Sequence, residues 1–490
     1  MSSPEPSLVT AEQPRGFSDK LGEAAGAEER IVTAVGRVYE QWGFDRLETP
    51  AIEFTEALGK FLPDLDRPNE GVFSFQDDER WLSLRYDLTA PLARFAAENW
   101  DALPKPFRRW QTGQVWRNEK PGPGRFRQFV QCDADTVGSD NPASDAEIIA
   151  MAGQALEAVG VPREGYTFKI NSRRILNGVL RGVGLDAGDK ARLIVMRAID
   201  KLDRVGVDGV AALLGKGRKD ESGDFTPGAN LDAKGVQRVI DFVTLPTDSR
   251  SAVLKGLEPI VGDNDAGIAG LKELWGIDAA LDALGVDDAR ARIDPSVVRG
   301  LEYYTGAVYE AELTLTAKEN GRPVRFGSVG GGGRYDDLVA RFTGKPVPAT
   351  GFSIGVSRLI AAQDVLGPGR RDAAPPPVVV LALDAARMGD YLAMAEELRR
   401  AGIRAEAYLG ASGMKAQLKY ADKRGAPVAV IQGGDELAKG TVTLKDLKLG
   451  AKIAAGLGED REAYARAREQ AQLEVPRAGL VAAVQQILAR

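Results

Sequence analysis

Residues 116–135 carry side chains whose types and spacing suit the binding of a phosphate-bearing molecule beside a small polar one. Arg117 and Glu119 lie two residues apart, so on a strand they point to the same face. A turn at 120–124, with two prolines and two glycines, then reverses the chain. On the return strand one face carries Arg125, Arg127, Phe129, Gln131, Asp133 and Asp135. Such a face would hold a polyphosphate, a flat ring and a small polar molecule in a row.

A solvated hairpin with a charged tip is the alternative explanation, and such hairpins are common. It is disfavoured because arginines, a phenylalanine and acids share one face, with no solvent-type pattern opposite them. The later run Gly330–Gly333 marks a place where backbone passes close to something. A tight strand crossing explains that run about as well as a ligand site does.

Histidine is absent from all 490 residues, which limits the available chemistry. Ser-His-Asp and Cys-His arrangements, HExxH metal sites and a histidine general base are all excluded. Any catalysis must use carboxylates, arginines, lysines, a bound ion or groups of the substrate. Cys132 is the one cysteine, which excludes an internal disulfide and favours the reducing cytosol.

Length and composition indicate a soluble globular protein of two to four domains. The net charge of −6 argues against a generally basic nucleic-acid surface but not against local basic patches. The longest apolar run, Val378–Leu383, is too short to span a bilayer. The N-terminus lacks the basic and apolar regions of a signal peptide.

Several elements must position the hairpin. Apolar residues at helical spacing predict a helix from Ile31 to Trp42 that ends at Gly43. Residues 44–54 read as one strand, and its Pro50 suggests a sheet edge, as at a subunit contact. A strand at 81–85 leads into a helix at 90–98; Asp87 and Thr89 at its start would, taken alone, be ordinary helix-entry groups. Further predictions are a helix capped by Ser144 and running to Val159, and a strand at 166–171.

The rest of the chain divides into regions that differ in their hydrophobic periodicity. Helical periodicity dominates 178–285, which predicts an inserted helical module with a flexible basic loop at 215–220. Strand patterns resume at 291, Asn320-Gly321 predicts a hairpin turn, and 349–359 predicts a strand that turns into a helix. After a linker at 367–377, alternating strands and helices predict a mostly parallel sheet with helices on both faces.

The hairpin, the segment Arg299–Gly306 and the passage Ala349–Leu359 resemble the signature segments of class II aminoacyl-tRNA synthetases, and more narrowly of histidyl-tRNA synthetases. The segment RGLEYYTG is the most specific signal, although the family usually has aspartate where Glu302 stands. The resemblance implies an α+β catalytic domain with an antiparallel sheet (14–177 and 286–366), an inserted helical module (178–285) and a C-terminal α/β anticodon-binding domain (378–490). Residues 1–13 would form a loose tail, and the helix and strand up to Pro50 would form the interface of a homodimer.

The resemblance also implies roles toward ATP. Arg117 would hold the α-phosphate, Glu119 the adenine amino group, and Phe129 would stack on adenine. Mg²⁺ would neutralise the leaving pyrophosphate. Arg358 would bind the γ-phosphate, and Arg125 and Arg127 would lie near the pyrophosphate.

For L-histidine, the resemblance implies that Arg299 bridges the carboxylate and the α-phosphate at the reacting centre. Gly331–Gly333 would let backbone approach both substrates. Catalysis would rest on Arg299, Arg117 and Gln131. The ammonium and carboxylate groups of histidine would be bound by Asp87, Thr89 and Gln131. Its imidazole would be bound by Asp135, Tyr303 and Tyr304.

The implied activity is ATP-dependent attachment of histidine to its cognate tRNA through a histidyl-adenylate. The loop tip at 122–124 lacks the polar side chain that many bacterial members place there, which predicts a different contact with the tRNA acceptor end. The alternative function is that of a synthetase-like regulatory subunit of ATP phosphoribosyltransferase. It is disfavoured because such paralogues usually lack the anticodon-binding domain and lose ATP-binding arginines, whereas this chain keeps Arg117, Arg299 and Arg358.

Overall fold

The computed structural model divides the chain into two compact units, Met1–Arg371 and Asp372–Arg490. The residues it describes are 9–61, 71–122, 126–186, 190–219, 223–246, 248–262, 264–298, 304–315, 317–319, 322–324, 327–366, 375–456 and 471–490. Within those ranges, none of the helices combines the length and the apolar character needed to cross a membrane. The finer domain boundaries at 177/178 and 285/286 stay predictions.

The first unit contains a mixed set of elements. Its strands are β1 (Asp45–Arg46), β2 (Ile52–Phe54), β3 (Ser74–Asp77), β4 (Arg80–Leu84), β5 (Phe107–Trp116), β6 (Gln128–Val137), β7 (Tyr166–Ser172), β8 (Gly217–Lys219), β9 (Phe225–Pro227), β10 (Ala291–Ile293), β11 (Ala307–Leu313), β12 (Ala317–Glu319), β13 (Arg322–Val324), β14 (Ser328–Arg334) and β15 (Ala349–Gly355). Its helices are α1 (Glu23–Gln41), α2 (Thr89–Glu98), α3 (Ala143–Ala158), α4 (Arg173–Gly182), α5 (Lys190–Ile199), α6 (Leu202–Leu214), α7 (Ala233–Val243), α8 (Arg250–Val261), α9 (Asp265–Ala283), α10 (Asp336–Thr343) and α11 (Val356–Leu366), with a 3₁₀ segment at Thr55–Phe61.

An eight-stranded sheet in the order β1-β5-β6-β15-β14-β11-β7-β10 organises this unit. Neighbours from β5 to β7 are antiparallel, which confirms the predicted antiparallel sheet for its centre. The edge strands β1 and β10 pair in parallel, which the sequence patterns did not indicate. Two rows of paired residues cross the sheet on one face: Gln111, Asp133, Ser353, Gly331 and Glu310 in one, and Arg109, Asp135, Gly351 and Gly333 in the other.

The opposite face of the sheet is covered by helices. The predicted helix is confirmed as α1, which buries Ile31, Val35 and Tyr39. The Tyr39 ring meets Trp110 of β5 edge-on at 6.3 Å, and a Cβ at Gly36 would lie 2.7 Å from Trp110. Helix and sheet therefore approach closely because this position has no side chain. With one face sealed by helices, the polar rows face the other side.

Three local predictions are wrong. Residues 44–54 do not form one strand, because β1 joins the main sheet while β2 joins the three-stranded sheet β2-β4-β3. Pro50 lies between them and has no N–H to donate to a ladder. Ser144 does not cap α3, which begins at Ala143 after Pro142. The predicted loop at 215–220 contains strand β8, paired with β9; the surrounding helices α5–α9 fit the predicted helical texture.

The second unit is an α/β domain with its own sheet. Its strands are β16 (Val378–Val380), β17 (Ala405–Ala407), β18 (Val428–Ile431), β19 (Thr441–Asp446) and β20 (Gln472–Pro476), and its helices are α12 (Met388–Arg400), α13 (Met414–Lys423), α14 (Gly434–Lys439), α15 (Leu447–Gly456) and α16 (Leu480–Leu488), with 3₁₀ segments at Ala385–Arg387 and Arg477–Gly479. Val378 and Val380 pack in one apolar cluster and Val379 in another, as expected for a strand covered on both faces. Strands β17, β16 and β18 are parallel as predicted, but β19 and β20 are antiparallel, so the sheet is mixed.

Candidate active site

A cavity of about 410 Å³ lies against the polar face of the main sheet. It contains most of the residues singled out from the sequence. Those lining it are Asp87, Thr89, Arg117, Glu119, Phe129, Gln131, Asp135, Tyr304, Gly331, Gly332 and Arg358. Side chains without an assigned role also line it, among them Asp133, Glu310, Tyr335 and Ser353. The alternation along β6 was therefore a sound guide to the face that the cavity uses.

One end of the cavity is built around a stacked arginine. The guanidinium carbon of Arg117 lies 4.3 Å from the centre of the Tyr86 ring and 5.1 Å from that of Phe129. The Tyr86 hydroxyl donates to Glu119 at 2.8 Å. Burial raises the pKa of Tyr86 to about 12, against the opposing effect of Arg117, so this hydroxyl stays a donor. The ring stack fixes a planar cation at the cavity wall.

Arg358 lies farther along the same wall. Its Nη1 donates to the carbonyl oxygen of Ser328 at 2.8 Å, which anchors the side chain at the start of β14. Gly331 lies three residues farther along that strand, and a Cβ there would meet only the Tyr309 carbonyl oxygen, at 3.8 Å. The missing side chain at Gly331 therefore leaves open volume inside the cavity.

The other end of the cavity is acidic and buried. Asp135 accepts a hydrogen bond from the Tyr335 hydroxyl at 2.5 Å on Oδ1 and pairs with Arg109 Nη2 at 2.9 Å on Oδ2. Burial raises the pKa of Asp135, while Arg109 and the Tyr335 hydrogen bond oppose that shift. A Cβ at Gly351 would lie 1.9 Å from Asp135 Oδ1. Glycine is thus required beside this carboxyl.

Asp133 lies two residues before Asp135 on the same face and is equally buried. Burial raises its pKa from the usual 3.8 to about 8, and the charge of Asp135 adds to the shift. An unfolded chain releases this proton near pH 4, whereas the folded chain holds it to about pH 8. Because the folded chain holds this proton more tightly, the contribution of Asp133 to the free energy of unfolding decreases progressively as pH rises across that interval.

Asp87 has a structural contact of its own. Its Oδ1 accepts from the backbone N–H groups of Thr89 at 3.1 Å and Ala90 at 2.9 Å, at the start of α2. This is the helix-entry arrangement that the sequence left open. The residue nevertheless lines the cavity, so one oxygen serves the helix while the side chain borders the site.

Comparisons with known proteins agree with this geometry. A family model described as Histidyl-tRNA synthetase matches residues 16–359, and one described as Anticodon binding domain matches 377–486. A curated relative from Caulobacter vibrioides, described as Histidine–tRNA ligase, is 60% identical over 98% of this chain and 97% of its own length. The chain belongs to the histidyl-tRNA synthetase family.

Two further members of the histidyl-tRNA synthetase family show the same extent of likeness. A curated Histidine–tRNA ligase from Methylocella silvestris is 56% identical over 99% of this chain and 98% of its own length. The crystal structure of histidyl-tRNA synthetase from Nostoc sp. PCC 7120 is 29% identical, with a TM-score of 0.70 over 98% of this chain and 100% of that one. The likeness thus extends over both units.

Some residues that the histidyl-tRNA synthetase resemblance singled out are not in the cavity lining. Arg127 lies instead with its guanidinium carbon 4.6 Å from the Phe73 ring centre and 5.8 Å from that of Phe17. Its side chain also donates to Asn118. Arg127 is thus outside the cavity lining, and its role near the pyrophosphate stays a prediction. Arg125, Arg299 and Tyr303 lie outside the described residues.

Sequence reasoning gave no role to Arg109, Tyr335 or Asp133. Arg109 had a usable signal, since alternation along β5 places it opposite Asp135 in the register. Tyr335 had none, because its contact with Asp135 joins residues 200 apart in the chain. Asp133 was recognised as part of the hairpin face. That Arg109 pairs with Asp135 rather than with Asp133 depends on how the fold packs around the two acids.

Beneath the cavity, a second buried charged group ties the sheet to its helices. Arg334, at the end of β14, pairs with Asp145 of α3 and approaches Glu273 of α9 at 3.8 Å. Asp145 Oδ1 accepts from the Thr350 hydroxyl at 2.6 Å. Burial raises the pKa of Asp145, and Arg334 opposes that shift. The next residue after Arg334 is Tyr335, so this group supports the Asp135 end of the cavity.

Proposed function

We propose that the chain, a histidine–tRNA ligase, binds ATP and histidine in this cavity and joins them there as histidyl-adenylate before transfer to histidine tRNA. The sorting of charge within the cavity carries the proposal. Arg117 and Arg358 line it together with Asp133 and Asp135, and on β6 the Phe129 ring beside Arg117 lies four and six residues before these two acids. A triphosphate and an amino acid with a cationic end complement that arrangement.

The chemical step follows from this placement. The histidine carboxylate attacks the α-phosphorus of ATP and pyrophosphate leaves, so two anions must meet. Arg117, held between two rings, offers a fixed positive charge where negative charge accumulates, which lowers the barrier. Phe129 offers a face for adenine and Glu119 an acceptor for its amino group. Gln131, whose Oε1 has no hydrogen-bond partner among the described residues, is available to the amino acid.

Mg²⁺ belongs to the same proposal as the ion that neutralises the leaving pyrophosphate. The described residues contain no group of three or more histidines, cysteines or acids placed to hold a metal ion. A Mg²⁺ bound to a nucleotide keeps several waters and needs only one or two carboxylates. Glu310, on the cavity side of β11, fits that need. We assign it as the carboxylate that would hold the ion.

The alternative, a regulatory subunit of ATP phosphoribosyltransferase, has less support. It does not require a basic wall for a triphosphate, whereas Arg117 and Arg358 both line the cavity. It also gives no role to the match of residues 377–486 with an anticodon-binding domain. The contact of the loop tip with the tRNA acceptor end stays a prediction, since residues 123–125 lie outside the described part.

Filling the open volume at Gly331 tests whether this cavity is the site. Gly331→Val places two methyl groups in the cavity, where only one backbone oxygen lies within 4 Å of the new Cβ. Overlap with a bound substrate costs about 1–3 kcal/mol, so histidine-dependent exchange of pyrophosphate into ATP should fall about tenfold or more. The melting temperature should change little, since valine suits a strand.

The control for that experiment is Gly389→Val in α12, where a Cβ also meets open space but which is not among the residues that line this cavity. Its exchange rate should match that of the unaltered protein. If Gly331→Val retains full exchange activity with a normal melting temperature, substrates do not occupy this cavity.

A homodimer is the second part of the proposal, and an apolar surface supports it. Ile52, Phe54 and Phe75 share one face of the sheet β2-β4-β3 and are 39–43% exposed. Exposed apolar clusters of this kind mark association surfaces. The double substitution Phe54→Glu with Phe75→Glu should convert a two-chain mass in sedimentation equilibrium to a one-chain mass.

The matched control is Leu409→Glu, which alters an apolar residue that is 74% exposed in the second unit. It should leave the two-chain mass unchanged. A one-chain mass for the unaltered protein at micromolar concentration would contradict the dimer.

A further inference from the structure

The acidic end of the cavity contains two buried carboxyl groups, and the ion pair made by the protein there goes to one of them. Asp133 and Asp135 are both buried there, on alternate positions of β6. Arg109 makes its ion pair with Asp135, at 2.9 Å. Tyr335 donates to Oδ1 of Asp135, and Oδ2 lies beside Arg109 as an ion pair, although Oδ2 accepts no hydrogen bond from the described residues. The charge compensation thus goes to Asp135 rather than to Asp133.

Asp133 lines the cavity, and one of its carboxyl oxygens accepts no hydrogen bond from the described residues. Its Oδ1 has no hydrogen-bond partner among the described residues, although the atom is fully buried. Gln111 and Ser353 flank Asp133 in the register and both are neutral, although hydrogen bonding by the Ser353 hydroxyl opposes the rise in the pKa of Asp133. A buried carboxylate without a partner is costly, and a cation supplied by a ligand removes the cost. The site is therefore complete only when something positively charged enters it.

The spacing on β6 fits one molecule of histidine. Alternate residues of a strand lie about 6.8 Å apart along its axis. If Asp135 binds the imidazole, Asp133 lies two residues nearer to Gln131 and Phe129. The reacting carboxylate of histidine and the adenine of ATP belong beside those two residues. The atom of histidine between its ring and its carboxylate that bears a positive charge is the α-ammonium nitrogen.

We propose that the carboxylate of Asp133 binds the α-ammonium group of histidine, supplying a charge that Asp87 alone was expected to provide. This inference rests on the proposed function of the cavity. Asp133 is then a specificity residue, because it requires an amino group on the ligand rather than an imidazole alone. An analogue without the amino group leaves this buried acid unpartnered.

Histidine binding should consequently be linked to a proton. The charged groups that act on Asp133 are Asp135 and Asp87, which hold its proton on, and Arg109, which favours release. Arg85 interacts with it favourably, and the phenol of Tyr39 lies near enough to feel its charge. At pH 7 the empty site keeps the proton, and the arriving ammonium displaces it. Calorimetry in buffers of different ionisation enthalpy should detect about one proton released for each histidine bound.

The experiment compares Asp133→Asn with the unaltered protein toward two ligands. For histidine, loss of a charge-assisted hydrogen bond should raise the dissociation constant roughly 10- to 100-fold. For imidazolepropionate, which keeps the ring and the carboxylate but lacks the amino group, the constant should change less than twofold or improve. Proton release on histidine binding should disappear in the variant.

Asp337→Asn, a change of the same kind on the exposed side of α10, is the control and should alter neither ligand. Equal weakening of both ligands by Asp133→Asn would mean that Asp133 meets the ring or merely supports the cavity, and would overturn the proposal. Unchanged histidine affinity would overturn it as well. Failure of the unaltered protein to bind histidine would instead refute the proposed function of the cavity.

Discussion

Replacing Arg117 with alanine should slow histidine-dependent pyrophosphate exchange by about 100- to 1,000-fold, the usual effect of removing one donor aimed at developing charge. Arg117 is stacked between Tyr86 and Phe129, so its position is set before substrates arrive. Its Nε has no hydrogen-bond partner among the described residues. The loss should appear mainly in kcat, because the charge that Arg117 meets builds up as carboxylate and phosphate approach.

Two variants distinguish this role from general damage. Arg117→Lys keeps the charge but loses the planar group that fits between two rings, so its rate should lie between those of alanine and arginine. Arg387→Ala removes another stacked arginine, 5.7 Å from the Tyr391 ring centre in the second unit and outside the cavity lining, and should leave exchange unaffected. A tenfold or smaller loss in Arg117→Ala would show that this arginine is not at the reacting centre.

The hairpin shows how far sequence reasoning reaches. Alternation of polar residues along 125–135 identified the cavity face of β6, because side-chain direction on a strand depends only on position. The helix α1 and the strand–helix passage into α11 followed from periodicity for the same reason. Local pattern was enough wherever the relevant contact lay within one element or between neighbours joined by a short turn.

Contacts between distant segments were beyond that reasoning. The parallel edges β1 and β10 depend on pairing with strands far along the chain. The different environments of Asp133 and Asp135 depend on Arg109 of β5 and on Tyr335, the residue that precedes α10. The sequence shows two identical acids at alternate positions, and their difference arises only from what the fold places against each.

The buried pair Arg334–Asp145 is such a contact, and it joins the sheet to α3. Arg334 Nη1 also donates to the Ser139 carbonyl oxygen at 2.8 Å. Desolvation of two charges makes a buried pair a poor source of net stability, but loss of one partner leaves the other uncompensated. Arg334 and Asp145 are 2% and 0% exposed in their side chains, so water cannot take the place of the missing partner.

Arg334→Met should therefore lower the free energy of unfolding by about 3–5 kcal/mol at neutral pH, measured by urea denaturation of the full chain. Adding Asp145→Asn to this variant removes the stranded charge, so the double variant should be more stable than Arg334→Met alone. The control Arg400→Met breaks an exposed pair with Glu396 and should cost at most about 1 kcal/mol. If Arg334→Met costs no more than that control, or if Asp145→Asn destabilises it further, the charge of Asp145 is not what Arg334 compensates.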